Sequence, residues 1–269
     1  YLNFILAFLS ALGLIYLCFI WARTLFGPKA GLVAAALVGF CPNILAHGRL
    51  ATTDLGVAFF FLLFFWLLRK YLLNPDWKKA IWLGFGLGLV VLAKFSGLLV
   101  LPLMLVFLVW RWLFKDVGTF KEHWRRRILE LILIISVGFV LFWLVYAFSS
   151  RSEFVSGGLV KLFLFPLGKF WQGYQILSDH NSVGHWSYLN GVVDYRGWWY
   201  YFPLVLWYKL TLPIMILFGL AIVFFRKNHR DFLEESLLIV PIVSFMILAM
   251  TSKIDIGIRH ILPILPFLY

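Results

Sequence analysis

The chain has 269 residues, of which 63% are hydrophobic and 13% are charged, with a mean hydropathy of +0.93 and a net charge of +12. Because soluble domains carry about 25% charged residues, this composition excludes a water-soluble globule and predicts an all-α integral membrane protein. The positive charge follows the predicted membrane topology and does not predict a nucleic-acid partner.

Apolar segments follow one another along the whole chain and predict about nine transmembrane segments. They lie near 1–22, 30–46, 55–72, 80–97, 98–114, 128–148, 201–225, 236–251 and 260–269. The first segment begins without a basic flank, and the last has about ten residues, too few to cross a bilayer at ~1.5 Å per residue. We therefore expect 1–269 to be one transmembrane domain that is truncated at both ends.

Basic residues set the predicted orientation, because cytoplasmic connections of membrane proteins are enriched in Lys and Arg. Four connections hold 15 of the 24 Lys and Arg residues, and they are 23–29, 69–79, 111–127 and 226–235. These connections are predicted to be cytoplasmic. The protein is accordingly expected to be a multi-pass protein of the plasma membrane, in a bacterium the inner membrane, in contact with membrane lipids.

The opposite, extracytoplasmic side is predicted to carry short turns and one long loop, 149–200. Within this loop, residues 159–177 mix Leu and Phe with two Lys, which is typical of a helix that lies in the plane of the lipid headgroups. A loop of about fifty residues in a compact protein is usually functional.

Ionisable residues near apolar segments mark candidate sites, because a charge at the bilayer centre costs about 2.5–3.5 kcal/mol. Here they gather at the predicted outer side, and they are His47, Arg49, Asp54, Lys94, Lys209, Lys253, Asp255, Arg259 and His260. This set is mostly basic. Basic groups that face a water-filled cavity suit an anionic group carried by a lipid, such as a phosphate or pyrophosphate.

Four of these residues, Asp54, Lys209, Arg259 and His260, also have other interpretations. Asp54 suits a base, a metal ligand or an ion-pair partner of Arg49. Lys209 lies ~12 Å inside its segment, where it suits a bond to a backbone carbonyl freed by Pro213. Arg259 and its neighbour His260 suit an interfacial anchor beside Asp255.

Two other patterns lie along the chain. His180 and His185 are candidate metal ligands, although no Cys or carboxylate accompanies them at ligand spacing; a divalent metal ion therefore stays open, and no other cofactor is predicted. Glycines 84, 86 and 88 predict close helix packing rather than nucleotide binding, because no strand precedes them.

Four stretches resemble glycosyltransferase family 39, which comprises the dolichyl-phosphate-mannose protein mannosyltransferases and bacterial polyprenyl-phosphate-dependent relatives such as the lipid A aminoarabinose transferases. In chain order they are Cys41 to Arg49 with Ala51 to Asp54, Gly86 to Lys94, His185 to Gly191 with Gly197 to Pro203 and Lys209, and Gly257 to His260 with Leu262-Pro263 and Pro266. The resemblance covers nearly the whole chain, and all four stretches fall on the predicted outer face.

The resemblance implies a GT-C type polytopic helical bundle whose cavity opens to the extracytoplasmic side. It implies transfer of a hexose or pentose from a polyprenyl-phosphate-linked donor to an acceptor that is a protein, a lipid or a glycan. In the family the principal catalytic acid lies on the first outer loop, which we expect upstream of this sequence. Asp54 matches the second acidic position and takes a supporting catalytic role.

The resemblance and the charge pattern together predict the substrate-binding residues. They are His47, Arg49, Lys94, His185, Tyr201, Lys209, Arg259 and His260. A glycosyl phosphate already carries its leaving group, so the protein must supply a base for the acceptor and positive charge for the departing phosphate. The alternatives are a transporter or flippase of a lipid-linked or anionic substrate and a structural subunit of a glycosylation complex.

Overall fold

The computed structural model describes residues 2–50, 52–114, 120–149, 159–224 and 231–269, and there the chain is mostly helical, with short connections and one short hairpin. The α-helices are α1 (Leu2–Phe26), α2 (Pro28–Gly39), α3 (Pro42–Gly48), α4 (Asp54–Leu73), α5 (Trp77–Ala93), α6 (Val100–Phe114), α7 (Phe120–Ser149), α8 (Leu159–Val183), α9 (Tyr201–Lys209), α10 (Leu212–Phe224), α11 (Phe232–Met250) and α12 (Leu265–Leu268). Further 3-10 helices cover Phe95–Leu99 and Ile258–Ile264. The predicted all-α class is confirmed.

Strands β1 (Ser187–Leu189) and β2 (Val192–Asp194) pair in antiparallel fashion. The two residues between them, Asn190 and Gly191, both have positive φ angles, 49° and 87°. This conformation matches the twist of a tight hairpin, and Asn-Gly is the sequence that adopts it most readily.

Helix length and hydropathy make this an integral membrane protein. Within the described ranges, five helices are long and apolar enough to cross a membrane, and two sharply bent helix pairs bring the number to seven if each pair is one span. The bent pairs are α2 with α3, at 57°, and α9 with α10, at 113°. A bend at mid-segment is tolerated in a membrane where the freed backbone groups face protein or water.

The prediction of nine transmembrane segments is therefore not confirmed. Segments 30–46 and 201–225 are each broken by a bend, near Cys41 and Thr211. The sequence did not predict these bends, because a hydropathy window averages across the break between two helices. The last segment, 260–269, contains a 3-10 helix followed by α12 and is largely buried.

The predicted long loop, 149–200, is also not confirmed as an irregular loop. Its residues 150–158 lie outside the described part of the chain. Its later part contains the 25 residues of α8 and the β1–β2 hairpin. The helix predicted for residues 159–177 lies within α8, and its position at a membrane surface stays a prediction.

The chain forms two compact units, Tyr1–Trp66 with Gly184–Tyr269, and Leu67–Val183. A single domain over 1–269 stays a prediction. In the first unit, Phe61 lies at the centre of an aromatic core, with edge-to-face contacts to Phe65, Phe245 and Phe267 at 5.1 to 5.9 Å between ring centroids. Because α12 contributes Phe267, this core fixes the last described residues against α4 and α11.

The second unit contains the glycines for which close packing is predicted. A Cβ on Gly84 would lie 2.6 Å from the carbonyl oxygen of Ile134, and a Cβ on Gly88 would lie 2.9 Å from that of Gly138. Helices α5 and α7 therefore approach until their backbones touch, which confirms the packing interpretation.

A buried carboxylate lies in the N-terminal half of α7, one turn before the contact with Gly84. Glu130 is fully buried and accepts hydrogen bonds from the Tyr71 hydroxyl at 2.7 Å, from Arg126 Nε at 2.9 Å and from Arg127 at 3.3 Å. A buried charge is stable only when it is paired and hydrogen-bonded. Some of the predicted cytoplasmic arginines thus have a structural partner in this unit.

Candidate functional site

Asp54 is the anchor of the candidate site in the first unit. It begins α4, where the positive end of the helix dipole favours a carboxylate. Its side chain is 2% exposed, and its Oδ2 lies 3.2 Å from Nε of Arg259, whose side chain is 47% exposed. The ion pair therefore fixes a guanidinium that remains open to solvent, and it joins the first predicted outer turn to the last one.

His47 lies beside this ion pair. It belongs to the last turn of α3, is partly buried and interacts electrostatically with both Asp54 and Arg259. Its Nδ1 is buried without a hydrogen-bond partner in the described part of the chain. Arg49, which caps the C-terminus of α3, is exposed. The sequence suggested Arg49 as the partner of Asp54, and the ion pair in the structure is with Arg259.

His260 is held by an aromatic contact. Its ring lies 5.3 Å from the ring of Phe202, which is fully buried at the start of α9. Tyr201, the preceding residue, is buried and its side chain is hydrogen-bonded to the backbone of Gly257. The first turn of α9 is thereby packed against the 3-10 helix that carries Arg259 and His260.

Lys209 is brought to the site by its backbone. It ends α9 at the 113° bend, and its carbonyl oxygen accepts a hydrogen bond from Asn43 Nδ2 at 2.9 Å. Asn43 and His47 are four residues apart in α3, so they share a helix face about 6 Å apart. The Lys209 side chain is exposed, and no described residue is an ion-pair or hydrogen-bond partner of its ammonium group. The carbonyl bond predicted as its alternative role is therefore absent from the described part of the chain.

Two predicted site residues lie elsewhere in the chain. Lys94 caps α5 with an extended backbone and belongs to the unit Leu67–Val183. His185 is exposed just before β1, and its carbonyl oxygen accepts a hydrogen bond from Ser187. Their proposed contact with a substrate stays a prediction.

Sequence reasoning missed two residues that build the site, Asn43 and Phe202, and it missed the bonding partner of a third, Asp255. Asn43 positions Lys209, Phe202 supports His260, and Asp255 receives the backbone N–H of Trp198 at 2.9 Å. A signal existed for two of them, because an amide or a carboxylate inside an apolar stretch needs a partner. Phe202 carries no such signal among the 29 Phe of the chain.

The sequence alone does not decide whether the protein binds a divalent metal ion. Among the residues that the structure describes, no group of three or more His, Cys, Asp or Glu side chains comes together to hold one. The groups that do converge are one buried carboxylate, one arginine and two histidines, with a lysine backbone tied in through Asn43. Such a set, with a guanidinium and imidazole groups as hydrogen-bond donors, suits an anionic ligand.

Comparison with known proteins decides the family. The family model of dolichyl-phosphate-mannose-protein mannosyltransferases matches residues 2–146. The chain belongs to this family. No curated protein and no solved structure matches the chain.

Membership of the mannosyltransferase family makes the protein a membrane glycosyltransferase of the GT-C type, and it does not favour a transporter or flippase. The family in general uses a polyprenyl-phosphate-linked sugar donor. The matched range contains His47, Arg49, Asp54 and Lys94. Arg259 and His260 lie outside it, and the Asp54–Arg259 ion pair connects them to the matched part.

Proposed function

We propose that this mannosyltransferase-family protein transfers a sugar from a polyprenyl-phosphate-linked donor to an acceptor at the extracytoplasmic face of the plasma membrane, in a bacterium the inner membrane. The ion pair between buried Asp54 and half-exposed Arg259, with His47 beside it, carries the proposal. A fixed cation that is open to solvent supports the binding of a lipid-borne phosphate.

Arg259 is proposed to stabilise the departing phosphate. Its planar guanidinium binds two phosphate oxygens at once, which a lysine ammonium cannot do in the same geometry. Charge on the phosphate increases as the glycosidic bond breaks, so a fixed cation lowers the energy of the transition state more than that of the bound donor. His260 and Lys209 add positive charge or hydrogen-bond donors to the same group.

Asp54 is proposed to support catalysis by positioning Arg259. A buried carboxylate engaged by a guanidinium is a poor base, because removing its charge would leave the arginine unpaired. Partly buried His47 and exposed Arg49 are proposed to bind the donor or the acceptor. Lys94, His185 and Tyr201 keep the substrate-binding roles that the family resemblance implies, and a divalent metal ion has no assigned step.

The test compares three variants of the full-length protein in a transfer assay with polyprenyl-phosphate-linked mannose and polyprenyl-phosphate-linked pentose. Arg259→Ala alone takes the guanidinium away from buried Asp54 and destabilises the fold by about 1–3 kcal/mol, because the half-exposed arginine already lets water reach the pair. The double variant D54N/R259Q removes both charges and keeps an uncharged polar side chain at both positions. We expect it to fold and to lose about 100- to 1000-fold in turnover.

Arg196→Gln is the matched control, because Arg196 is an exposed arginine of the same unit. It should transfer sugar as the wild type does. A folded double variant that keeps more than about a tenth of wild-type turnover would remove Arg259 from the reaction. A wild-type protein that transfers neither sugar from a polyprenyl-phosphate donor, to protein, lipid or glycan acceptors, would refute the proposed function.

A further inference from the structure

Asp255 is a buried carboxylate that the transfer chemistry above does not use. It is 4% exposed, and its Oδ2 accepts the backbone N–H of Trp198 at 2.9 Å. Its Oδ1 is buried without a hydrogen-bond partner among the described residues. Burial raises the pKa of this carboxyl group, and the Trp198 N–H opposes that shift. A group that is costly to bury and lies close to Arg259 in the chain requires an explanation.

The chain closes tightly over this carboxylate. Gly197 has a φ of 67°, and a Cβ at this position would lie 2.3 Å from Oδ2 of Asp255. Only glycine meets both conditions, because other residues rarely adopt this φ and have no room for a Cβ. Four residues later, the Tyr201 side chain is hydrogen-bonded to the backbone of Gly257. Two polar contacts therefore fasten residues 197–201 to residues 255–257.

Residues 255–257 lead directly into the 3-10 helix that carries the candidate phosphate-binding groups, Arg259 and His260. Gly257 caps the start of the 3-10 helix, and its carbonyl oxygen accepts the backbone N–H of His260 at 3.1 Å. On the other side, Phe202 packs on the His260 ring at 5.3 Å. Moving residues 197–201 away from Asp255 would thus move the ring that supports His260 and the helix that presents Arg259.

We propose that Asp255 is a positioning residue. It accepts the hydrogen bond of the Trp198 N–H next to Gly197, and it thereby fixes the 3-10 helix so that Arg259 and His260 face the donor phosphate. The ligand in this statement rests on the proposed function. The contact itself does not, and it can be tested without a substrate.

The substitutions separate the acceptor oxygen of Asp255 from its charge. D255N keeps an oxygen for the Trp198 N–H, and D255L has the same branched arrangement of side-chain heavy atoms and no acceptor. D194N and D194L are the matched controls, because Asp194 also accepts a backbone N–H, from Arg196 at 2.7 Å, in the hairpin of the same unit. Hydrogen exchange should rise in peptides 197–202 and 255–260 of D255L and stay unchanged in D255N and both controls.

Kinetics provide the second readout. A misplaced phosphate-binding group weakens the donor complex, so D255L should raise the donor KM about tenfold or more and leave the acceptor KM unchanged. Simple loss of folded protein would instead lower the apparent kcat and leave both KM values unchanged. G197A disturbs the same contact, because its added Cβ meets Asp255, and it should likewise raise the donor KM and leave the acceptor KM unchanged. The donor KM of the D255L/G197A double variant should be no higher than that of either single variant.

Three results would overturn the proposal. The first is hydrogen exchange and a donor KM in D255L that equal those of the wild type. The second is a D255N variant that is as impaired as D255L. The third is effects of D255L and G197A on the donor KM that multiply in the double variant. If D255L does not fold, the comparison of G197A with D255N decides in the same way. A wild type that transfers no sugar would refute the proposed function, and hydrogen exchange alone would then decide whether Asp255 holds the segment.

Discussion

At the scale of single residues, Asp54 and Asp255 show how two buried carboxylates of one unit differ by what each faces. Asp54 faces a guanidinium at 3.2 Å, so its charge is matched by an opposite charge. Asp255 faces a backbone N–H at 2.9 Å and a buried tyrosine, Tyr201, so within the described part of the chain its charge is matched only by a dipole. The first arrangement suits a site that needs a fixed cation, and the second suits a structural clasp that works in the neutral form.

The stability of the protein should depend on pH through Asp255. Because burial raises its folded-state pKa above the ordinary value of about 3.9, its contribution is complete below that value and is lost as the pH rises through the raised pKa. The D255N variant cannot ionise at this position. We expect wild-type thermal stability to fall relative to that of D255N as the pH rises above about 4 and through the raised pKa.

Thermal unfolding in detergent at several pH values measures this difference, with D194N as the control at a less buried aspartate. Parallel stability curves for wild type and D255N over the whole range would contradict the assignment.

The sequence predicted which residues matter better than it predicted their partners. Scarcity of charge in an apolar chain was enough to select Asp54, Lys209 and Arg259. The pairing of Asp54 with Arg259 depends on how α4 and the last 3-10 helix pack, and neither residue's neighbours in sequence contain that information. For the same reason Asp255 was read as a companion of Arg259, whereas it bonds Trp198.

At the scale of elements, the apolar composition predicted that the segments are helices, but it did not predict where the helices bend. The apolar runs required helices, because only helices satisfy every backbone group inside a bilayer in a chain of this pattern. The bends at Cys41 and Thr211 escaped a hydropathy average, although Pro42 and Pro213 stand in the first turn of the helices that follow. These bends matter because they bring Asn43 and Lys209 together.

The glycines of α5 give a test of element packing. Gly84→Ala should destabilise the protein by about 1–3 kcal/mol, because its Cβ would lie 2.6 Å from a backbone oxygen of α7 that cannot move independently. Gly219→Ala is the matched control within α10, where nothing lies within 4 Å of the added Cβ. There the higher helix propensity of alanine should stabilise the helix, by up to about 1 kcal/mol.

Thermal or denaturant unfolding of both variants in the same detergent gives the comparison. Equal effects of the two substitutions would show that the α5–α7 contact is looser than the structure indicates.

At the scale of the whole molecule, the family match and the site geometry support each other from different parts of the chain. Residues 2–146 identify the family, and they contribute His47 and Asp54. The partners of these residues come from beyond residue 146, in the last 3-10 helix. A site assembled from distant parts of the chain in one unit is what a membrane enzyme needs to hold a substrate between its helices.

The side of the membrane that carries this site is the last testable point. Asn190, at the hairpin tip, bonds the Tyr208 hydroxyl beside Lys209, so the hairpin marks the same end of the unit as the candidate site. Lys78, at the start of α5, lies in a predicted cytoplasmic connection. Both side chains are exposed, and the native cysteines Cys18 and Cys41 are buried.

A cysteine at position 190 should therefore react with a membrane-impermeant thiol reagent on intact cells, whereas a cysteine at position 78 should react only after permeabilisation. The unsubstituted protein gives the background from the two buried native cysteines. Labelling at 78 and protection at 190 in intact cells would place the site on the cytoplasmic side. The lipid-linked donor would then have to be presented from that leaflet, and the extracytoplasmic face would have to be abandoned.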